Sequence, residues 1–178
     1  MSQVRAWLRS ATRAAHDRVD EAFGAFRLDE ATSYRAFLSA HRRALVPLED
    51  WLEADALLPG WQGRSAEVTD DLRTLGERQF GAVSLAWTDD EARRIGALYV
   101  LEGSRMGAAV LARSVSDELP KRYLTARAAP GQWHELLRLL ESKGGEGGAG
   151  WQNRALAGAN DAFALFHSAA QEIQAAHR

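Results

Sequence analysis

Residues 100–109 read VLEGSRMGAA. The stretch around them, from Ile95 to Arg113, is apolar and long enough for a helix. Yet Gly103 and Gly107 stand four apart inside it, and Gly96 lies seven before Gly103. A glycine inside a helix costs about 1 kcal/mol relative to alanine. At ~100° per residue the three fall within about 60° of one another around the axis. One side of the helix is therefore bare backbone. Either another helix comes very close there, or something that is not protein lies against it.

Around this segment the chain is patterned for helices. No run of alternating β-branched residues and no Asn-Gly turn signals a hairpin. Val4, Leu8, Ala11, Ala15, Val19, Ala22 and Phe26 step by three and four along one first helix. Asp29 or Thr32 is placed to cap a second, with Tyr34, Phe37, Leu38, His41, Leu45 and Leu48 on its stripe and Pro47 placed to kink it. A shorter helix is expected over 69–79. Thr88 with Glu91 forms a capping box for the glycine-bearing helix. Two more helices are expected at about 130–142 and 151–176. The expectation is an all-α, single-domain bundle over 1–178, with no internal repeat.

Residues 142–151, SKGGEGGAGW, hold five glycines. Gly145, Gly147 and Gly150 match a dinucleotide fingerprint by spacing, but no strand precedes them, as that mechanism requires. The segment reads as a flexible loop between the last two helices.

Composition narrows the function. Of the 178 residues, 46% are hydrophobic and 26% charged, an ordinary globular balance. The formal net charge of −2 gives no bulk attraction to nucleic acid or an anionic membrane. The absence of cysteine removes disulfides, thiolate metal sites and thiol nucleophiles. The N-terminal segment has arginines every few residues and no long apolar block, unlike a secretory signal. Glu102, Ser104 and Arg105 interrupt the most apolar stretch, which argues against a membrane span. A cytoplasmic protein that binds neither nucleic acid nor membrane is expected.

Chemistry concentrates in RSATRAAHDRVDEAF, residues 9–23. On a helix, Arg9, Arg13, His16, Asp20 and Phe23 line one strip bordering the apolar stripe. Asp20 can accept a hydrogen bond from one imidazole nitrogen of His16, fixing the tautomer and freeing the other nitrogen for a metal. The two arginines can meet ligand carboxylates. By itself the strip reads as a surface His–Asp pair among solubilising arginines, since such pairs are common on helices. His41 is expected at a helix edge, and His134, His167 and His177 form no pattern. No H-x-x-x-H or H-E-x-x-H occurs, and no Glu is followed three residues later by His, so zinc hydrolase and di-iron readings fail. Gly103-Ser104 is not a nucleophile elbow, and there is no P-loop.

Taken together, the His16 segment and LYVLEGSRMGAA resemble the heme oxygenase family, most closely its shorter bacterial members. YRAFLSAHRRALVPLEDWL (34–52), WHELLRLL and ANDAFALF extend the resemblance over most of the chain. The resemblance implies heme sandwiched between the first helix and a kinked, glycine-bearing distal helix. His16 corresponds to the proximal iron ligand and Asp20 to the carboxylate that supports its other nitrogen. Gly103 and Gly107 correspond to the distal glycines. Arg9, Arg13 and Arg138 stand where basic residues reach the propionates, and Phe163 where an aromatic lines the pocket. The implied reaction opens heme to biliverdin, CO and Fe²⁺ using O₂ and an external electron donor, a ferredoxin, flavodoxin or reductase. Arg113 falls where the family carries basic residues on its donor-facing side. A bacteriophytochrome is an implied acceptor of biliverdin.

Two positions depart from the family pattern. Ser104 stands where many members carry an Asp that organises the proton-delivering water; a hydroxyl holds a water but lacks a carboxylate's charge. Gly107-Ala108 replaces a glycine pair, and the extra methyl is expected to shift the heme. Met106 is expected to pack in the core. The departures leave a non-catalytic heme-binding or heme-sensing protein as the alternative, with a purely structural helical module as a third reading.

Overall fold

The computed structural model describes residues 3–53, 57–78, 81 and 84–176. Among these the elements are α1 (Gln3–Ala11), α2 (Arg13–Gly24), α3 (Ala31–Glu53), α4 (Ser65–Thr74), α5 (Glu91–Leu111), a 3₁₀ turn (Ala112–Ser114), α6 (Arg122–Thr125), α7 (Gln132–Glu146) and α8 (Gly148–Ala176). No strand occurs among the described residues, as the helical periodicity requires.

Helix α8 is the spine. α2, α3 and α5 all pack on it, with α5 making the broadest contact. Its inward face is built of small residues, Ala155, Gly158, Ala159, Ala162, Ala169 and Ala170, all buried. Two glycines interlock there. A Cβ on Gly96 of α5 would run into the Ala155 carbonyl, and one on Gly158 of α8 would run into the Arg93 carbonyl. An Arg93–Asp161 ion pair closes the same crossing. By length and composition 91–114 would reach across a membrane. In this fold its first half, from Ala92 to Glu102, is buried except at Arg93 and Tyr99, so the apolarity serves the packing on α8.

The structure redraws several boundaries. The first helix divides at Thr12, whose Oγ1 turns back to donate to the Leu8 carbonyl at 2.9 Å, and Phe26 lies beyond its end. The backbone ladder nevertheless crosses the division, with His16 N donating to Thr12 O at 3.0 Å. α3 starts at Ala31, so Thr32 lies inside it, and Pro47 remains within the helix. α4 begins at Ser65 and ends at Thr74, earlier than expected at both ends; residue 79 lies outside the described residues. Asp90, not Thr88, caps α5, accepting from Arg93 N at 2.9 Å.

The glycine-rich segment is not a flexible loop. α7 runs through it to Glu146, and α8 begins at Gly148 after a one-residue break. Gly144 lies so close to Val4 that a Cβ would meet Val4 Cγ1 at 2.8 Å, and Gly147 is likewise pressed against the Trp151 side chain. Gly148, at φ 58°, makes the turn in the left-handed region that glycine favours. Close packing, not freedom, is what these glycines supply.

Candidate functional site

The candidate site has a proximal side on α2. His16 Nδ1 lies 3.2 Å from Asp20 Oδ2 and 3.7 Å from Asp17 Oδ1. The ring is 55% exposed, and Nε2 has no hydrogen-bond partner among the described residues. It meets Phe163 of α8 edge-on, with ring centroids 5.9 Å apart. A neutral imidazole held this way keeps its proton on Nδ1 and offers Nε2 as a ligand. Phe23, on the same strip by spacing, turns inward instead and packs on Phe37 and His41.

The second side is the far half of α5. A Cβ built on Gly103 or Gly107 meets nothing within 4 Å, whereas Gly96 on the same side of the helix is pressed against α8. The glycine strip therefore divides in function. Its first member serves a helix crossing, and its other two border open space. Met106, Val110 and Leu111, the large exposed apolar side chains of the described residues, are 57%, 61% and 41% exposed. By helix geometry Val110 falls within about 20° of Gly103, with Met106 and Leu111 on either flank. Met106 is thus not a core residue. An apolar patch beside bare backbone fits a flat apolar ligand better than it fits water. Ala108 is buried in the core, so its methyl points away from the open strip and does not crowd it.

Beside the strip lies a polar network that sequence reasoning missed, running from buried Glu49 and Arg64 out to exposed Ser104. Arg64, at the start of α4, donates from Nη2 to Ser104 Oγ at 2.7 Å, while Ser104 Oγ donates to the Leu101 carbonyl at 2.7 Å. The Arg64 guanidinium lies over the Tyr123 ring, 4.8 Å from its centroid. Glu49 of α3 accepts from Arg64 N at 2.7 Å, from Ser65 N at 2.9 Å and from Ser65 Oγ at 2.5 Å, so a side chain from another helix caps α4. Burial pushes the Glu49 carboxyl above its ordinary range, against the pull of Ser65 and of the Arg64 and Ser65 amides. Glu102, also buried, accepts from Trp61 Nε1 and Arg105 Nε, each at 2.8 Å, tying residues 61–65 down over α5.

His41 is not at a helix edge. Its ring lies 4.2 Å from both Phe23 and Phe37 and 5.3 Å from Tyr123, and Nδ1 donates to the Phe37 carbonyl at 3.0 Å. Burial pushes its pKa down to about 3, so it is neutral, with Nε2 as an acceptor.

The remaining expected residues are exposed cations. Arg9 sits in the last turn of α1. Arg13 opens α2 and pairs with Asp17 at 3.1 Å, an exposed contact that is readily exchanged. Arg138 stands on the side of α7 away from its buried Leu136 and Leu140. The structure thus brings His16, Asp20 and Phe163 together, and Ser104 with Arg64. Arg13 is linked to the first group through Asp17, which lies beside His16, whereas among the described residues no contact joins Arg9 or Arg138 to either group. His177 lies outside the described residues.

Comparison with known proteins places this arrangement in a family. No family model matches the chain. A curated heme oxygenase of Xanthomonas campestris pv. campestris (strain 8004) is 33% identical over 151 residues, covering 78% of this chain and 89% of the relative. The chain belongs to the heme oxygenase family. The fold agrees: the NO- and CO-bound heme oxygenase from Neisseria meningitidis superimposes with a TM-score of 0.80 over 97% of this chain and 92% of that one, at 23% identity.

Proposed function

We infer that this protein is a heme oxygenase that holds heme between α2 and the far half of α5 and opens it to biliverdin, CO and Fe²⁺. The carrying observation is the divided glycine strip: Gly96 is filled by protein, whereas Gly103 and Gly107 border open space flanked by exposed apolar side chains. Heme is both the substrate and the site of O₂ chemistry.

The chain's own residues bind, orient and exclude. His16 supplies Nε2 to the iron, with its ring set by Asp20 and Phe163. Gly103 and Gly107 let the helix backbone come against the porphyrin face. Met106, Val110 and Leu111 give up exposed apolar surface to the ligand, at ~25 cal/mol for each Å² removed from water. Arg9, Arg13 and Arg138 are the cations for the propionates; Arg13 has only an exposed pair with Asp17 to exchange. Ser104 keeps a hydroxyl on the oxygen side, oriented by Arg64.

The single domain works in the cytoplasm with a ferredoxin, flavodoxin or reductase as its electron donor. The exposed Arg113, in the 3₁₀ turn after α5, is the cation offered to such an anionic partner. Biliverdin passes to an acceptor of the bacteriophytochrome class. Ser104 in place of an acid does not favour a merely heme-binding protein, because Arg64 holds its hydroxyl in a defined network.

The test is turnover. Hemin-loaded protein given O₂ and a low-potential reductant, with several donors tried, converts its Soret absorbance to that of biliverdin, identified by chromatography. A Soret band that persists with every donor overturns the assignment.

A further inference from the structure

Within the described residues, Arg64 is a buried cation with an idle donor. It is 2% exposed, yet Nη1 is buried without a hydrogen-bond partner. A buried N–H of a charged group left unpaired costs about 1–3 kcal/mol or more, so natural structures pair such groups or place water against them. Nothing in the local backbone relieves it. Glu49 clamps the Arg64 amide, and Gly63 before it lies so close to the Glu49 carboxylate that no side chain fits. The guanidinium is fixed between the Tyr123 ring and Ser104 Oγ.

Beside that idle donor stands a group of complementary type. Ser104 gives its proton to Leu101 O and accepts from Arg64 Nη2, leaving one lone pair as an acceptor. The Tyr123 ring lies between the guanidinium and the His41 ring, so His41 keeps its own Nδ1 bond to Phe37 O and takes no part at Nη1. A buried donor beside a free hydroxyl lone pair at the edge of open space gives an ordered water the two polar partners it needs.

We propose that Arg64 is a positioning residue on the oxygen side of the heme pocket: Nη2 sets the Ser104 hydroxyl, and Nη1 holds an ordered water beside it. The proposal rests on the heme reading above. The pair puts a permanent cation where a carboxylate would put an anion, because a guanidinium stays protonated. An anion bound at the iron would therefore gain a hydrogen bond from that water, polarised by the guanidinium, that a neutral ligand does not use.

Fluoride and carbon monoxide separate this role from mere structural support. Wild type, Arg64→Met, Arg64→Lys and Ser104→Ala are loaded with hemin. The ferric forms are titrated with fluoride, and the ferrous forms with carbon monoxide. Arg64→Met weakens fluoride binding by about tenfold, the worth of one hydrogen bond to a charged group. Arg64→Lys and Ser104→Ala weaken it less, and carbon monoxide affinity is unchanged throughout. Unchanged fluoride affinity in hemin-bound Arg64→Met overturns the proposal, as does a parallel loss of fluoride and carbon monoxide. If Arg64→Met takes up no hemin, unchanged fluoride affinity in both Arg64→Lys and Ser104→Ala overturns it. A wild type that takes up no hemin sinks the heme reading and this proposal with it.

Discussion

His16 Nδ1 lies 3.2 Å from Asp20 Oδ2, one turn further along α2. The contact is exposed, and its worth to folding is small. Its value lies in orientation, since it fixes which nitrogen is free. Asp20→Ala is therefore expected to leave thermal stability near wild type while weakening hemin binding by roughly 10–100-fold, the usual effect of removing a ligand's supporting carboxylate. Paired hemin titrations and melting curves check this.

The divided glycine strip predicts opposite outcomes for one substitution at two sites. Gly103→Ala adds a methyl into open space, so the apoprotein gains up to about 1 kcal/mol of helix stability. The same methyl stands against the ligand and weakens hemin binding. Gly96→Ala drives a methyl into the Ala155 carbonyl and destabilises the apoprotein by about 1–3 kcal/mol. Denaturant unfolding of the two apoproteins reads both signs.

Glu49 holds α4 in place from outside that helix. Glu49→Ala leaves the Arg64 and Ser65 amides and the Ser65 hydroxyl without their acceptor in a buried setting. The expected loss is about 1–3 kcal/mol for each buried donor left unpaired. Glu49→Gln keeps one acceptor and loses less. Chemical denaturation of both variants measures the difference.

Acid sensitivity follows from His41. Its folded pKa is lowered from 6.5 to about 3 by burial, so between those values the unfolded chain takes up a proton that the folded chain refuses. Stability therefore falls as the pH drops through that window, by at most about 1.4 kcal/mol per pH unit. Glu49 is shifted the other way: its raised pKa makes stability fall as the pH rises just above 4.5. The wild-type curve carries both slopes, and His41→Leu removes the first alone. The difference between wild-type and variant stability across pH 3–6.5 isolates it.

Much of the architecture is legible in the sequence because buried helices repeat every three or four residues, and the stripes of α1–α3 and α5 do so plainly. The proximal pair is legible for the same reason, since His16 and Asp20 are one turn apart. What failed to show depends on partners distant in the chain. Thr88 and Asp90 are both capping residues. Asp90 prevails with Arg154 3.1 Å from its other oxygen, while Asp89 is drawn to Arg94 at 2.8 Å. The 142–151 glycines look like a loop until Val4 is packed against Gly144. His41 looks like a helix-edge residue until Phe23, Tyr123 and Phe166 are seen to close around it. Arg64 carries no local signal at all. A lone arginine after glycine becomes a functional candidate only when Glu49, Tyr123 and Ser104 converge on it from three other helices.

The central claim is that His16 Nε2 binds the iron of a heme lying against Gly103 and Gly107. The optical spectrum of ferric His16→Ala loaded with hemin, recorded with and without added imidazole, tests it most directly. Loss of the wild-type axial-ligand spectrum, and its return when imidazole fills the space left by the side chain, is the predicted result. A His16→Ala protein that binds hemin with an unaltered spectrum and affinity contradicts the account.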